Sequence, residues 1–209
     1  MAAILLSMFM AAMEATVVAT AMPTVVADLR GIELYGWVGS LYMLASTVTI
    51  PLWGKLADLW GRKPVMLAGL VLFLVGSVAS GTSATMLQLV VFRAVQGAGA
   101  GSLQPVSLTL VGDLFAVEER GRIQGMFGAL WGVAGMMGPL LGGLIVRALS
   151  WRWVFYINVP FGLLSGALLV AFLDERDRRP TTRAPLDLEG AATLSVAVLA
   201  LLLGVGGRW

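Results

Sequence analysis

The 209-residue chain contains no cysteine and no histidine, and few of its residues are charged. Without cysteine there is no disulfide framework and no thiolate site for metal or redox chemistry. Without histidine there is no imidazole to bind a metal or to carry a proton near neutral pH. No metal-ligand cluster or nucleophile–base pair is visible, so we expect neither an enzyme nor a cofactor. Any proton chemistry must use carboxylates.

Charged residues make up 12% of the chain, about half the fraction of a soluble domain. Apolar residues make up 58% and are concentrated in long segments. Each segment approaches or exceeds the roughly 20 residues that cross a bilayer core as a helix. The first is too long for a signal peptide and is predicted to be retained. The segments are 3–26, 36–56, 64–82, 85–112, 121–146, 153–173 and 190–207. The sequence predicts an all-α polytopic membrane protein whose immediate partner is the lipid bilayer.

One connector differs from the short loops between the other segments. Residues 174–189 are highly charged and include two prolines, which is typical of a solvated linker. The chain is therefore divided into a transmembrane bundle (1–173), a cytoplasmic linker (174–189) and the start of an additional transmembrane helix (190–209). Because the chain ends at Trp209, soon after that helix begins, we expect it to be one part of a longer protein.

Lysine and arginine are distributed unequally among the loops. The loops after segments one, three and five carry Arg30, Arg147 and Arg152. The loops after segments two, four and six carry Lys55, Arg62, Lys63, Arg120, Arg122, Arg176, Arg178, Arg179 and Arg183. Basic residues accumulate on the cytoplasmic side, so the amino terminus is predicted to be cytoplasmic. These residues determine topology and do not indicate a nucleic-acid partner. The excess of arginine over lysine favours a bacterial origin.

The chain contains a faint internal repeat. Residues 24–29 (TVVADL) and 109–114 (TLVGDL) end the first and fourth segments, 85 positions apart. Gly36 and Gly121, which begin the second and fifth segments, share that offset. A repeat of three helices inserts with opposite orientation in its two copies. The pattern therefore predicts two inverted three-helix repeats.

Two ionisable residues lie inside the apolar segments. Glu14 is near the middle of the first, and Arg93 lies about a third of the way down the fourth. An intramembrane charge is costly and usually faces a bundle interior or a wet cavity. Antiparallel helices would place the two at similar depth, so that they could pair and Glu14 could bind and release a proton. The alternative is that Glu14 only holds neighbouring helices together by hydrogen bonds.

Polar residues form stripes on two segments. On the fourth the stripe consists of Arg93, Gln96, Ala100, Gln104 and Ser107. On the second it consists of Tyr42, Ser46, Thr49 and Trp53. Each stripe is either the wall of a substrate cavity or a set of hydrogen bonds between helices. We expect Tyr42, Ser46, Gln96 and Gln104 to line a cavity.

Glycine recurs at helical spacing in the fifth segment. The positions are Gly125, Gly128, Gly132, Gly135, Gly138 and Gly142. Glycine at this period allows another backbone to approach closely in lipid, and Pro139 should bend the helix. These features alone indicate a close-packing interface.

Several of these motifs resemble the major facilitator superfamily of secondary transporters. Residues 54–63 (GKLADLWGRK) resemble the loop between its second and third helices, with Gly54, Asp58, Gly61, Arg62 and Lys63 as the matching positions. The resemblance implies a six-helix bundle of two inverted three-helix repeats, followed by the start of a seventh helix. It also implies that the loop forms a cytoplasmic gating cluster. A local partner role for Asp58 is the alternative.

Three further motifs narrow the resemblance to the fourteen-helix drug:proton antiporters of that superfamily. Residues 93–99 (RAVQGAG) look like a fourth-helix motif linked to proton coupling. Residues 14–23 (EATVVATAMP) and 151–162 (WRWVFYINVPFG), the latter including Asn158, are similar to this group's signatures. Glu14 stands where the group usually has aspartate, and Ala19 where it has asparagine. The antiporter motif is matched by Gly135, Gly138, Pro139, Gly142 and Gly143.

The resemblance implies proton-coupled efflux of small amphipathic drugs across the cytoplasmic membrane by alternating access. Glu14 and Arg93 would couple the proton, Asn158 would join the cavity residues, and the proton gradient would supply energy. The chain looks like the amino-terminal half, so its further partner would be the missing carboxy-terminal half. A dedicated metabolite or antibiotic exporter of the same fold and a non-transporting membrane fragment are the alternatives.

Overall fold

A computed structural model describes residues 1–173 and, beyond them, 190, 193, 196, 197 and 200. The described part is helical and contains no β-strand. The helices are α1 (Ala2–Leu29), α2 (Tyr35–Trp60), α3 (Arg62–Gly81), α4 (Met86–Leu114), α5 (Val117–Ala148), α6 (Trp153–Tyr156) and α7 (Asn158–Phe172), with a 3₁₀ turn at Ile32–Leu34. The all-α prediction is confirmed. The predicted linker 174–189 and almost all of the seventh segment lie outside the described residues.

Local chemistry explains where several helices begin and end. α2 ends at Trp60, and the next residue, Gly61, has a φ of +97°, which suits a residue without a Cβ. The hydroxyl of Thr85 accepts a hydrogen bond from the Gln88 backbone N–H (3.2 Å) and so caps the start of α4. α5 begins four residues before the predicted segment, because its first turns are charged and polar and lie outside the apolar run.

The sixth membrane segment is divided into α6 and α7 at Ile157. Pro160 has no backbone N–H, so the carbonyl of Tyr156, four residues earlier, lacks its usual intrahelical partner. The two pieces together run from Trp153 to Phe172 and are long and apolar enough to cross a bilayer. This break places Asn158 at the first position of α7.

Length and composition mark α1, α3, α5 and the combined sixth segment as helices that could cross a membrane. α2 and α4 contain 26 and 29 residues, long enough to do so, but they carry the polar stripes that lower their apolar content. α4 places much of this polarity inside the bundle, where Gln96, Ser102 and Ser107 are fully buried. Apolar content alone therefore does not mark α4 as a membrane-crossing helix, because many of its polar residues are buried inside the bundle.

The helices exchange partners between the two repeats. α4 packs chiefly against α2 and α3, whereas α1 packs chiefly against α5 and α7. Thus the first helix of each three-helix unit lies against the second and third helices of the other unit. The sequence repeat predicted two inverted units but not this exchange of partners, which places α1 and α4 at the centre.

Small residues allow α4 to lie between α2 and α3. A Cβ added at Gly99 would lie 2.3 Å from the backbone nitrogen of Phe73, and one at Gly97 would lie 2.2 Å from the carbonyl oxygen of Tyr42. Real Cβ atoms do not approach backbone atoms so closely. Close backbone contact through small residues is the usual basis of helix association in lipid.

Candidate functional site

Glu14 and Arg93 meet in the interior of the bundle. α1 supplies Glu14 and α4 supplies Arg93, and their side chains are only 1% and 3% exposed. Arg93 Nη1 donates a hydrogen bond to Glu14 Oε1 and forms a salt bridge with it. The pairing expected from their depths is therefore present in the structure. Whether the pair carries a proton stays a prediction.

Each partner of this pair has a second set of contacts. Arg93 Nη1 also donates to Gln96 Oε1 at 2.8 Å, and the guanidinium carbon lies 4.0 Å from the centre of the Tyr42 ring. Asn158 Nδ2 donates to Glu14 Oε2. Both oxygens of Glu14 thus accept hydrogen bonds, which satisfies a buried carboxylate.

Asn158 connects the ion pair to the break in the sixth segment. Its Nδ2 also donates to Ser77 Oγ at 3.0 Å, and Ser77 Oγ donates to the backbone carbonyl of Phe155 at 2.8 Å. Asn158 and Ser77 are buried. Sequence reasoning placed Asn158 in the substrate cavity and did not identify Ser77. A serine on the buried face of the apolar helix α3 was the available signal for Ser77, although the same signal applies to the equally buried Ser80.

The network leaves two donors without a protein partner. Arg93 Nε and Gln96 Nε2 are buried and make no hydrogen bond within the described residues. Unpaired buried donors are uncommon in proteins and often occur where a site has a further function. These two lie beside the ion pair on α4.

The residues predicted to line a cavity differ in how deeply they are buried. Gln96 and Asn158 are buried in the Glu14 network, Tyr42 and Ser46 are partly buried on α2, and Gln104 is exposed on α4. The rest of the α2 stripe serves helix association, since Thr49 Oγ1 (3.1 Å) and Trp53 Nε1 (2.6 Å) both donate to a carbonyl of α4. The cavity prediction stays a prediction for all five.

The predicted gating loop joins three helix ends. Arg62 forms an ion pair with Asp58 (2.6 Å) and a longer one with Asp113 at the end of α4 (3.4 Å). Lys63 Nζ donates to the carbonyl oxygens of Val170 (3.0 Å) and Leu173 (2.5 Å) at the end of α7. Gly54 has open space where a Cβ would stand, and Gly61 is the capping residue directly after α2. Sequence reasoning did not assign Asp113 as a partner of Arg62.

A second polar cluster lies at the opposite end of the bundle. Asp28, at the end of α1, accepts hydrogen bonds from Trp151 Nε1 (2.8 Å) and Arg152 Nη1 (3.0 Å). Asp28 and Asp113 are the aspartates that the 85-residue repeat equates. Each contacts the loop between the second and third helices of the other repeat. The repeat alignment was the signal that could have identified both clusters.

The glycine stripe of α5 is only partly in contact with another helix. A Cβ at Gly138 would collide with Thr16 Oγ1, and one at Gly142 would lie 3.1 Å from the carbonyl oxygen of Val17. Thr16 Oγ1 also donates to the carbonyl of Ala134 at 3.1 Å. The remaining stripe positions and Gly143 have open space within the described structure; they are Gly125, Gly128, Gly132 and Gly135. Pro139 lies inside α5, which is one uninterrupted helix.

The described residues form a bundle of membrane-length helices with a buried ion pair between α1 and α4, which is the architecture of a polytopic membrane protein. The family model for the Major Facilitator Superfamily matches residues 4–207. The chain belongs to the Major Facilitator Superfamily. This is a family of transporters, not of enzymes.

Curated relatives carry names from drug and metabolite transport. The chain is 44% identical to Multidrug resistance protein 3 of Bacillus subtilis, over 98% of this chain and 40% of that protein. It is 40% identical to Multidrug transporter protein MdtP of B. subtilis, over 98% of this chain and 38% of that protein. It is 38% identical to the Acurin A biosynthesis cluster MFS-type transporter of Aspergillus aculeatus, over 97% of this chain and 38% of that protein. The chain spans about two fifths of the length of these relatives.

Solved structures show the same fold. The human organic anion transporter MFSD10 superposes with a TM-score of 0.70 at 19% identity, covering 95% of this chain and 55% of that chain. A D-xylose-proton symporter superposes with a TM-score of 0.66 at 17% identity, covering 98% of this chain and 54% of that chain. The likeness establishes the six-helix bundle.

Proposed function

We propose that the chain is the amino-terminal half of a transporter that exports amphipathic small molecules in exchange for protons across the cytoplasmic membrane. The observation that carries the proposal is the buried ion pair of Glu14 and Arg93. An ionisable pair inside a membrane bundle is costly, and such residues commonly mark ion or proton pathways. The names of the bacterial relatives support drug efflux.

Glu14 is the proton site in this proposal. Arg93 remains protonated at any ordinary pH, so it cannot carry the proton. In the described arrangement Glu14 is held by donors on both oxygens. Protonation removes the negative charge that holds Arg93, which weakens the attachment of α1 to α4. Because α1 and α4 belong to different repeats, loosening this contact is suited to rearranging the bundle.

The site would alternate between facing outward and facing inward as Glu14 gains and loses its proton. An incoming proton neutralises Glu14 when the site faces outward, and departure of that proton inward restores the pair. The other half of the protein would supply the second wall of the substrate cavity. Tyr42, Ser46 and Gln104 on α2 and α4 are the residues of this half proposed to face that cavity. The proton gradient is the energy source, and no cofactor is required.

The charged cluster at Arg62 is proposed to be the cytoplasmic gate. It ties the loop after α2 to the ends of α4 and α7 through Asp113 and the contacts of Lys63. Breaking it would release α3 from both helices at one end of the bundle. The amino terminus would then also be cytoplasmic, as the loop charges predict.

A narrower function is the second candidate. The relative from Aspergillus aculeatus is named for a biosynthetic cluster, which favours a dedicated metabolite exporter. Both candidates use the same coupling, so a panel of substrates distinguishes them.

The first test uses inverted membrane vesicles that contain the full-length protein. We expect a fluorescent cationic dye to be pumped when a proton gradient is imposed, and we expect Glu14→Gln to abolish that movement. A matched control is Glu33→Gln, which changes a carboxylate outside the helical core. Unchanged dye transport in Glu14→Gln would remove Glu14 from the coupling mechanism. No movement of dye or of any panel substrate would favour a non-transporting protein.

A further inference from the structure

A chain of hydrogen bonds leads from Glu14 away from Arg93. Asn158 Nδ2 donates to Glu14 Oε2 and to Ser77 Oγ. Ser77 Oγ donates in turn to the carbonyl oxygen of Phe155. The three side chains come from α1, α7 and α3, and none is more than 2% exposed. The chain therefore joins the candidate proton site to the break in the sixth segment through interior contacts.

The direction of these hydrogen bonds is fixed by the two ends. A carboxylate and a backbone carbonyl can only accept. Ser77 must therefore donate to Phe155 and accept from Asn158, whose amide nitrogen must also face Glu14. The observed arrangement fits the ionised form of Glu14.

A proton on Glu14 cannot be placed without reversing this direction. Arg93 offers only donors to Oε1, so that oxygen must remain an acceptor. The proton must then sit on Oε2, where it meets the Asn158 amide nitrogen, also a donor. Rotation of the amide by half a turn resolves the conflict, because Asn158 Oδ1 then accepts from Glu14. The Ser77 hydroxyl can donate to the same Oδ1 and so leaves the Phe155 carbonyl.

The Phe155 carbonyl, which loses the Ser77 hydroxyl, lies beside the break at Ile157. Pro160 already leaves the next carbonyl, that of Tyr156, without an intrahelical partner. Loss of a buried hydrogen bond is unfavourable, which favours rearrangement of the segment at this point. Protonation of Glu14 thus alters a hydrogen bond at the break in the sixth segment.

We propose that Asn158 is a positioning residue that senses the protonation state of Glu14 and passes it through Ser77 to the break in the sixth membrane segment. This assignment deepens the proposed antiport and rests on Glu14 as its proton site. It also predicts a role for the amide of Asn158 beyond lining a substrate cavity.

The surroundings of Glu14 leave few other groups to consider. Arg93 on α4 is its charged contact, and the Tyr42 phenol ring on α2 lies against that guanidinium. α3 and α7 contribute the neutral Ser77 and Asn158. α5 also packs on α1, and its charged residues lie near its ends; they are Glu118, Glu119, Arg120, Arg122 and Arg147.

The first part of the test measures Glu14 directly in the reconstituted full-length protein. Infrared difference spectra recorded over a pH series contain the carboxyl band of protonated Glu14, which Glu14→Gln identifies by its loss. We expect Asn158→Ala to raise the midpoint of this titration by about one pH unit, because the charge-assisted hydrogen bond lost from the carboxylate is stronger than the neutral one lost from the protonated form. The pH profile of transport should move in the same direction. Ser165→Ala is the matched control, since Ser165 is equally buried and hydrogen-bonded to Ser7 and Ala3.

The second part tests the connection to the sixth segment. A fluorophore on Leu163→Cys reports from α7, where Leu163 is 63% exposed. With Ser77 present, its signal should change with the midpoint of the Glu14 band. In Ser77→Ala the band should still titrate, but the change in fluorescence should be lost. Because this variant removes only a hydroxyl, it also serves if Asn158→Ala fails to fold.

Several results would overturn the assignment. One is a Glu14 midpoint in Asn158→Ala equal to that of Ser165→Ala. Another is a fluorescence change that survives in Ser77→Ala, and a third is the absence of a Glu14 band from the wild-type titration. If the band and the fluorescence behave as expected while substrate moves without proton exchange, the proposed antiport fails and the role of Asn158 stands.

Discussion

The buried pair of Glu14 and Arg93 leads to different predictions for the stability of the two single variants. Removing one partner of a buried ion pair commonly costs about 3–5 kcal/mol. Arg93→Gln leaves Glu14 without its cation, but the carboxyl can take up a proton and become neutral. Glu14→Gln leaves the guanidinium without its anion, and arginine cannot lose its charge. The two variants should therefore differ in how their stability depends on pH.

The size of the effect follows from the chemistry of the surviving group. Neutralising a glutamate of ordinary pKa, about 4.3, costs about 3.7 kcal/mol at pH 7. This sets an upper limit on the ionisation penalty in Arg93→Gln. The penalty should become smaller at lower pH, because the folded variant holds a proton that the unfolded chain releases at neutral pH. The penalty should fall by about 1.4 kcal/mol for each pH unit below neutrality and fade near pH 4.3. Glu14→Gln should show no such recovery relative to wild type.

The measurement is unfolding of the reconstituted full-length protein, followed by tryptophan fluorescence over a pH series. Wild type, both single variants and the double variant are compared at each pH. The double variant should be closer to wild type than Glu14→Gln is, because no buried charge remains. Equal and pH-independent losses in the two single variants would refute the reasoning.

Two other predictions concern packing and surface charge. Gly99→Ala should destabilise the protein by about 1–3 kcal/mol or more, since the added Cβ would collide with the Phe73 backbone. Gly112→Ala on the same helix is the control, because its Cβ would enter open space and should leave stability unchanged. The measurement is the unfolding midpoint of each variant. Asp28→Asn should cause a small loss of thermal stability, because the ion pair of Asp28 with Arg152 is exposed. The loss should disappear in 1 M salt, where the Debye length is about 3 Å. A loss that persists at high salt would contradict this.

Sequence reasoning predicted the helices well, because apolar length is a direct consequence of bilayer thickness. It could not decide the contacts of individual polar residues. For Thr49 and Trp53 the stripe left cavity lining and hydrogen bonding between helices open, and both donate to a carbonyl of α4. A stripe at helical spacing does not reveal whether the facing surface is water or another helix. Asp113 was likewise visible in the repeat, but its pairing with Arg62 depends on where a distant loop lies.

The glycine stripe of α5 shows the same limit. Spacing predicted one uniform close-packing face, whereas the described structure places only Gly138 and Gly142 against α1. A period gives the direction of a face, and the crossing angle of the neighbouring helix decides how many positions it reaches.

The sequence by itself determined the helical membrane fold, its repeat and the two intramembrane charges, since these depend on composition and spacing along one chain. Only the tertiary structure decided that Glu14 is shared between Arg93 and Asn158 and that Ser77 extends the network to the sixth segment. These contacts join residues that are 78 to 144 positions apart in sequence. Their meeting depends on the swapped packing of α1 and α4, which no local pattern specifies.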